Sequence, residues 1–370
     1  MRYRFGFIAA WLVASGAWAD VIDVPPFVQL VGDGLLGVGW QASEPSAGRV
    51  IWSQGGKEQT ETLQENGTIQ RAPINGYDIS KPLTFRVESA PVGGGASGRS
   101  ATREIPALVN AKGETSFLVF TDVHSDAKWY AKCLAQQDDG VSFVVLCGDC
   151  VEDPKDEAHV VKTLTKPMAG LAEKGLPFLF LRGNHELRGD GYWQMLPRHI
   201  VQREPDTFYG AITLGALRLI YLDTGETQPK FCQKQFANGQ TISDYLEEQA
   251  KWLKQEVNSE AFRKAKYRLV LMHIPLNLRP HSLYPTKSLG ALFAQTLNEA
   301  GVDVLLSGHD HGTNQILPPT EDKWKDISFK GPVFVARRKG LMRVGLSAEG
   351  LSVKLFDSDG SVSAEQTWKR

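Results

Sequence analysis

The pattern of apolar and polar positions divides the chain into two regions that are organised differently. Between residues 20 and 107 the apolar runs are short, of β type, and separated by glycine, proline, asparagine and serine, with no helical periodicity. Spacing of this kind is typical of a small antiparallel β-sandwich of the immunoglobulin or fibronectin-III type. We therefore predict a β-sandwich domain over residues 20–107.

After the turn-rich segment 106–113, apolar runs of four to six residues alternate with amphipathic stretches. The runs predict buried strands at 117–121, 143–147, 178–181, 217–222, 267–272 and 302–306. The stretches between them predict helices at 126–137, 157–173, 242–257 and 289–300. Strand–helix alternation indicates a sheet covered by helices on both faces. We predict one α/β domain over residues 114–370, closed by a short β-meander.

The first nineteen residues have the features of a secretory signal peptide. Arg2 and Arg4 precede an apolar run at 5–14, and Ala17-Trp18-Ala19 forms an A-x-A end. The run is too short to span a bilayer. A buried N-terminal helix or strand is the alternative. We predict cleavage after Ala19 and an exported protein, periplasmic or secreted.

Composition narrows the classes of partner. The net charge is −1, with 42% apolar and 22% charged residues, so no polyanion-binding surface is indicated and no nucleic-acid partner is expected. The cysteines are Cys133, Cys147, Cys150 and Cys232. Three pairings are possible, and buried thiols or one or two disulfides remain open. The Cys147–Cys150 pair has CxxC spacing, but without a second CxxC it does not predict a zinc knuckle.

Five short polar motifs each follow a predicted strand. They are Asp122-x-His124, Gly148-Asp149, Gly183-Asn184-His185-Glu186, His273, and Gly308-His309-Asp310-His311. Each alone has an ordinary explanation, such as a capping aspartate or a buried histidine. Ligands of open α/β sheets bind beyond the carboxyl ends of the strands, so the five motifs are expected to converge. Five of the eight histidines of the chain fall within them.

As a set, the series D-x-H, GD, GNHE, H and GHxH resembles the calcineurin-like metallophosphoesterases over about residues 114–356. The resemblance implies two β-sheets sandwiched between helices, with a dinuclear metal site at the sheet edge. It implies one metal ion on Asp122, His124 and His311, and a second on Asn184, His273 and His309. Asp149 is expected to bridge the two.

The implied ligand set has a definite chemistry. Imidazole and carboxylate ligands suit divalent transition metals such as Mn, Fe or Zn rather than Ca or Mg. Asp122 and Asp149 supply two negative charges against the four positive charges of two ions, so the centre stays positive and attracts a phosphate ester. Metal-bound water loses a proton near neutral pH, and the expected nucleophile is the resulting hydroxide.

His185 is the remaining motif residue, and the resemblance implies a role as general acid or phosphate contact. Such a histidine needs an orienting carboxylate. Glu186 is its neighbour, but adjacent side chains rarely face each other. Glu152 lies three residues after Asp149, at the position that supplies this partner in some family members. We therefore predict Glu152 as the second catalytic residue.

The N-terminal β-module resembles that of purple acid phosphatases, but two positions depart from their pattern. Those enzymes carry a ligand tyrosine three residues after the bridging aspartate, where this chain has Glu152, and they lack the histidine that is His124 here. We predict no tyrosinate ligand, no purple colour and no obligatory ferric ion.

Together these features predict an exported dinuclear-metal phosphoesterase that acts on small phosphate mono- or diesters. One alternative is a catalytically inactive family member that serves as a binding protein outside the cytoplasm. Another is a nuclease or nucleotide phosphodiesterase, which would usually carry a basic groove with stacking aromatics. Candidate substrate contacts near the motif loops are Arg182, Arg188, Arg279 and His281. Substrate identity and oligomeric state stay open.

Overall fold

The structure, a computed structural model, describes residues 21–137, 140–189, 192–226, 236, 239–277, 289–317 and 327–370. The predicted signal peptide at 1–19 lies outside these residues, as do Cys232, Arg279 and His281. Within the described part of the chain, no helix has both the length and the apolar character needed to cross a membrane.

Nineteen strands and seven α-helices are described. The strands are β1 (Ile22–Gly32), β2 (Leu35–Gln54), β3 (Lys57–Thr62), β4 (Gly67–Asn75), β5 (Leu83–Pro91), β6 (Gly98–Arg99), β7 (Arg103–Ile105), β8 (Thr115–Thr121), β9 (Phe143–Cys147), β10 (Phe178–Leu181), β11 (Gly210–Leu214), β12 (Leu217–Leu222), β13 (Tyr267–Met272), β14 (Val304–Ser307), β15 (Gln315–Leu317), β16 (Val333–Val335), β17 (Gly340–Ser347), β18 (Gly350–Phe356) and β19 (Val362–Trp368). The helices are α1 (Lys128–Gln137), α2 (Glu157–Val160), α3 (Lys166–Ala172), α4 (Leu196–His199), α5 (Ile242–Glu256), α6 (Glu260–Lys264) and α7 (Leu289–Glu299).

The strands form two sheets. The first has 13 strands in the order β19-β18-β17-β8-β9-β10-β1-β2-β5-β6, with β3 and β4 paired to β2 and β7 paired to β5. The second has six strands in the order β11-β12-β13-β14-β16-β15. Strands β8, β9 and β10 are mutually parallel, and so are β12, β13, β14 and β16. Their carboxyl ends therefore share one edge of each sheet.

The apolar residues of the central strands form three layers of core. In β8, Phe117 and Val119 pack between the two sheets, whereas Leu118 and Phe120 pack against helices α1 and α3. Helices α5, α6 and α7 cover the outer face of the second sheet. Successive side chains of a strand point to opposite faces, so both faces of β8 are buried. The predicted fold class, two sheets flanked by helices, is confirmed.

Most helix boundaries lie within two residues of the predicted ones, but the predicted helix at 157–173 is interrupted. Helix α2 passes into a π-helical segment, Val161–Thr165, before α3 begins. Pro167 lies in the first turn of α3, where it has no backbone N–H to donate to the preceding turn. In a continuous α-helix a proline lacks this donor, and its ring collides with the preceding turn. Both effects account for the interruption.

The N-terminal region is rich in strands, as predicted, and it is joined to the rest of the molecule. Strand β1 pairs in parallel with β10, with Gln29 opposite Phe178 and Leu30 opposite Leu179. Leu108 and Val109, in the segment between the two predicted domains, are buried in the core that the two sheets share. The boundaries at 20–107 and 114–370 stay predictions, but the two regions share one sheet and one core.

The three described cysteines, Cys133, Cys147 and Cys150, are buried free thiols. Cys147 packs in the core between the sheets, and Cys150 packs in the core beneath helices α1 and α3. Burial raises the pKa of both thiols, so both are protonated at neutral pH. The CxxC spacing therefore reflects two core positions that flank Asp149.

Candidate metal centre

The five motif loops meet because backbone hydrogen bonds join them across strands and across sheets. The N–H of Asp122 donates to the carbonyl of Gly148 at 3.1 Å, and the N–H of Gly308 donates to the carbonyl of His273 at 3.0 Å. The N–H of His309 donates to a carboxylate oxygen of Asp122 at 2.9 Å, which joins the second sheet to the first. The predicted convergence of the motifs at one sheet edge is thus observed.

The backbone around these loops is strained. Eight described non-glycine residues have positive φ, and six of them border the site: Asp122, His124, Ser125, Asp149, Asp153 and His309. A left-handed conformation costs an L-residue roughly 1–2 kcal/mol. Strain of this kind persists only where the surroundings enforce it, and it concentrates at functional sites. The left-handed turns direct consecutive side chains towards one point.

Two motif glycines are needed because side chains approach them closely. A Cβ on Gly183 would lie 2.3 Å from Oδ1 of Asp149, and a Cβ on Gly308 would lie 2.2 Å from Oδ2 of Asp122. Both distances are far shorter than any ordinary van der Waals contact. Gly183 and Gly308 therefore make room for the two carboxylates of the site.

Four side chains form a first group of candidate ligands. One ligand atom from each of Asp122, His124, Asp149 and His311 lies within 4.8 Å of the others. Nε2 of His311 is 3.1 Å from Oδ1 of Asp122 and 3.0 Å from Nε2 of His124. Asp122 and Asp149 are at most 1% exposed, whereas the His311 side chain is 41% exposed. The group is closed on the protein side and open towards solvent.

A second group shares Asp149 with the first. Its ligand atoms come from Asp149, His273 and His309, again within 4.8 Å of one another. Nε2 of His273 lies 3.1 Å from Oδ2 of Asp149. Asn184 joins this group, because its Oδ1 is 2.8 Å from Nδ1 of His309. Asp149 thus belongs to both groups, as expected of a bridging residue.

The orientation of His273 is fixed from behind. Its Nδ1 lies 3.0 Å from the carbonyl oxygen of Cys147, which can only accept a hydrogen bond. Nδ1 therefore carries a proton, and Nε2 is the nitrogen that faces Asp149. This arrangement is typical of metal-ligating histidines, whose second ring nitrogen donates to a carbonyl or carboxylate.

The charges at the centre are strongly coupled. Burial alone would raise the pKa of Asp149, but His273 and His185 hold that pKa well below its usual range. Burial alone would lower the pKa of His273, but Asp149 and Asp122 raise it to about 10. Burial and the neighbouring charge of His273 lower the pKa of His309 to about 4. The protein thus keeps the Asp149 carboxylate ionised where the ligand atoms converge.

The side chains of the centre fit divalent metal ions. Nδ1 of His124 is buried and has no hydrogen-bond partner among the described residues. Two imidazole nitrogens, on His124 and His311, face each other at 3.0 Å. Such an arrangement is unfavourable for two lone pairs but suits ligands of one cation. Nitrogen and oxygen donors of these types fit Mn, Fe or Zn and do not select one of them.

His185 lies beside the centre, and its carboxylate partner is Asp153. Nδ1 of His185 is 2.7 Å from Oδ1 of Asp153, and the His185 N–H donates to Oδ1 of Asp149 at 2.8 Å. Glu152 instead approaches Nδ1 of His124, at 3.8 Å. One ligand atom from each of His124, Glu152 and His185 lies within 4.8 Å of the others, but the short contact to His185 is made by Asp153. The catalytic role of Glu152 stays a prediction. Asp153 has a φ of 40°, which turns its side chain back over the loop towards His185.

An arginine on the other side of His185 completes a chain of contacts. Nη1 of Arg188 is 2.9 Å from Nε2 of His185. The guanidinium also donates to both carboxylate oxygens of the buried Glu226, at 2.6 and 3.1 Å. Neither Asp153 nor Glu226 was among the residues expected from the sequence, because neither lies in a motif. Arg188 had been considered only as a substrate contact.

Arg182, the other described candidate contact, serves a different purpose. It is 1% exposed and donates to Asp223 at 2.7 Å, with its guanidinium 3.8 Å from the ring centre of Phe208. A buried, paired guanidinium stacked on an aromatic ring is not available to substrate. Arg182 instead pairs with the buried carboxylate of Asp223.

Comparison with known proteins places these observations in context. A sequence model of the calcineurin-like phosphoesterases matches residues 115–313, which include all five motifs. No curated protein matches the chain by sequence. Among solved structures, a purple acid phosphatase from yellow lupin (Lupinus luteus) seeds is similar with a TM-score of 0.69 and 13% identity, covering 93% of this chain and 74% of that one. At that identity the likeness shows the fold alone.

Two further solved structures are similar at lower scores. A predicted phosphoesterase from Streptococcus pneumoniae has a TM-score of 0.30 and 12% identity, covering 70% of this chain and 98% of that one. A fibronectin-III domain of the human collagen alpha-1(XX) chain has a TM-score of 0.21 and 21% identity, covering 26% of this chain and 87% of that one. We draw no inference from scores this low.

Proposed function

The chain belongs to the calcineurin-like phosphoesterase family, and on that premise we propose that it is an exported hydrolase of small phosphate mono- or diesters that uses two divalent metal ions. The observation that carries the proposal is the sharing of Asp149 between two groups of candidate ligands. Every residue that the family resemblance implies as a ligand lies in one of these groups or in contact with it. A catalytically inactive member would be expected to have lost some of them.

We base the proposed assignment of ligands to the two ions on the grouping of their ligand atoms. Asp122, His124 and His311 would hold one ion, and Asn184, His273 and His309 would hold the other, with Asp149 between them. Bound ions would withdraw electron density from the phosphoryl oxygens and make water more acidic. The protein would contribute fixed directions, because its carboxylates and imidazoles are held by buried contacts and would need no rearrangement during the reaction.

His185 is placed to act on the leaving group or on a phosphate oxygen. Asp153 accepts from Nδ1 and Arg188 approaches Nε2, so the ring is held in one orientation at the edge of the centre. The His185 side chain is 18% exposed and can therefore reach a bound ester. Either role would need a proton on Nε2 as well as on Nδ1, so the ring would have to be doubly protonated, with the Arg188 N–H turned away from Nε2.

Export is part of the proposal. Its support is the basic start at Arg2 and Arg4, the apolar run at 5–14 and the A-x-A end at Ala17–Ala19. Amino-terminal sequencing of the protein recovered from outside the cytoplasm tests it. A mature chain that begins at Asp20 is expected, and an intact Met1 terminus on a cytoplasmic protein would contradict export.

The enzymatic proposal is tested with the protein stripped by EDTA and reloaded with Mn, Fe or Zn. An aryl phosphate and its bis-aryl diester are assayed in parallel, which separates monoesterase from diesterase activity. We expect activity only after reloading and no tyrosinate charge-transfer band, because Glu152 stands where purple acid phosphatases have their ligand tyrosine. Absence of hydrolysis with every metal and both esters would contradict the proposed activity.

A further inference from the structure

Glu186 follows His185 in the chain but points in the opposite direction, into the protein. It is fully buried, and its carboxylate accepts four backbone N–H groups. The donors are Asp149 at 2.8 Å, Cys150 at 2.7 Å, Val151 at 2.8 Å and Gly183 at 2.8 Å. Three of them belong to the loop after β9, and the fourth belongs to the loop after β10. One side chain therefore joins the loop that carries Asp149 to the loop that carries Asn184.

The distribution of these bonds shows why a carboxylate is required. Oε1 accepts from Cys150 and Val151, and Oε2 accepts from Asp149 and Gly183. The β9 loop lies beyond the end of its strand and turns through left-handed conformations at Gly148 and Asp149. Its N–H groups are therefore directed inward, where each needs an acceptor. A carboxylate is the side chain that offers acceptors only, and here each oxygen accepts twice.

The same residue is costly to bury, which argues against an incidental contact. An ionised carboxylate loses its hydration on burial, and Asp149 places a second negative charge nearby. The free-energy cost of burying this carboxylate has to be offset by its four hydrogen bonds, which hold the two loops together.

From this geometry we propose that Glu186 is a positioning residue for the metal centre, fixing the bridging Asp149 and the ligand Asn184 relative to each other by tying their loops together. The inference rests on the proposed function, because it assigns Glu186 to the two-ion site proposed above. It separates the roles of two neighbouring residues. His185 faces the substrate side, and Glu186 holds the backbone from which the ligands project.

The test uses Glu186→Gln, which has nearly the same shape but replaces one acceptor oxygen with an NH2 donor. Whichever way the amide is turned, two backbone N–H groups would face a donor. We expect cobalt(II) affinity, measured by calorimetry on the full chain, to fall by roughly 10–100-fold, the range seen when groups that support metal ligands are lost. The visible absorption of the cobalt-loaded protein should also change, because the ligands would no longer be held in the same geometry.

Asp303→Asn is the matched control. Asp303 is also a buried carboxylate that accepts a backbone N–H, from Arg268 at 2.8 Å, but it lies at the end of β14 remote from the candidate centre. Thermal unfolding of both metal-free variants measures the general loss of stability. The inference requires that Glu186→Gln weaken cobalt binding and alter the spectrum while Asp303→Asn, at a similar loss of stability, does neither.

The outcomes separate the inference from the proposed function. Wild-type protein that takes up no divalent ion contradicts the two-ion function itself. Wild-type protein that binds two ions, together with a Glu186→Gln variant that binds them equally well and with an unchanged spectrum, contradicts only the positioning role. Should Glu186→Gln fail to fold, Glu186→Asp decides, because it keeps the charge but is too short to span both loops. Wild-type cobalt affinity in that variant would also contradict the role.

Discussion

The candidate centre has a floor and a rim, and the two are built by different physics. The floor consists of Asp122, Asp149, Asn184 and His273, each at most 2% exposed. The rim consists of His185, Asp153 and Glu152, whose side chains are between 18% and 46% exposed. Buried polar groups must find partners within the protein, so the floor has few possible arrangements. Water can satisfy the rim, so its side chains depend on the conformation of their loops.

This difference explains how mutations should act. A change in the floor removes a partner from several groups at once, because the Asp149 carboxylate contacts the His273 ring and accepts from the backbone N–H of His185. A change in the rim removes one contact and leaves the others in place. We therefore expect floor variants to lose metal and activity together, and rim variants to lose activity alone.

The largest effect is expected for Asp149→Asn. The variant removes the charge shared by both ligand groups and leaves the His273 ring without its anionic partner. We expect kcat/KM for an aryl phosphate to fall by about 10³-fold. This is the upper end of the range seen when one charge-stabilising group is removed. Metal content, measured by atomic emission on dialysed protein, should fall with it. Full activity with both ions retained would show that Asp149 is not shared between them.

A smaller effect that leaves metal content unchanged is expected for His185→Asn. If His185 protonates the departing oxygen, its loss should lower kcat by about 10²-fold for an alkyl phosphate. The loss should be much smaller for an aryl phosphate whose leaving group needs no proton. Equal losses on both substrates would instead assign His185 to phosphate binding. Loss of metal together with activity would place His185 in the floor rather than the rim.

The floor and the rim also differ in how well the sequence predicted them. The floor residues follow strands whose apolar runs are easily recognised, and the ends of parallel strands must share an edge. Asp122, Asp149 and His273 could therefore be placed from the strand pattern and the family motifs. The same reasoning predicted two sheets covered by helices, because fully apolar runs between helices leave few other packings.

The contacts within the rim could not be predicted in this way. The choice between Glu152 and Asp153 depends on a left-handed turn at Asp153, and nothing in the sequence distinguishes two adjacent acidic residues in a loop. The contact of Arg188 with His185 depends on Glu226, which lies 38 residues further along the chain. In the N-terminal region the strand pattern was clear, but the pairing of β1 with β10 is a long-range contact that periodicity does not specify.

A second buried histidine, outside the centre, shows by comparison how the floor carboxylates affect the pKa of His273. His199 is 3% exposed, but its nearest described carboxylate oxygen, on Glu157, is 3.7 Å away. Burial, Arg198 and Arg71 lower the pKa of His199 to about 4, opposite to the shift at His273. The unfolded chain therefore binds more protons than the folded one between about pH 6.5 and 4. The stability contributed by neutral His199 is complete above pH 6.5 and is lost as the pH falls towards 4.

We expect His199→Phe to remove this dependence. Between pH 7 and 4.5 the wild type should lose about 2 kcal/mol more of its free energy of unfolding than the variant does. Urea unfolding of both proteins at a series of pH values measures the difference, and carboxylates that titrate in both proteins cancel. Parallel curves for the two proteins would show that His199 is charged, or solvated, in the folded state.

The smallest effects concern the rim, where Asp153→Asn is compared with Glu152→Gln. Asp153 lies 2.7 Å from His185, so its loss should lower kcat by about tenfold, at the low end for groups that orient a catalytic residue. Glu152 lies 3.8 Å from His124 and is 46% exposed, so its loss should cost less than about fivefold, because exposed ion pairs contribute at most about 1 kcal/mol. In a His185→Asn background, Asp153→Asn should have no further effect, because Asp153 would act only through His185. A larger loss for Glu152→Gln would support Glu152 as the partner of His185, and additive losses in the double variant would show that Asp153 does not act only through His185.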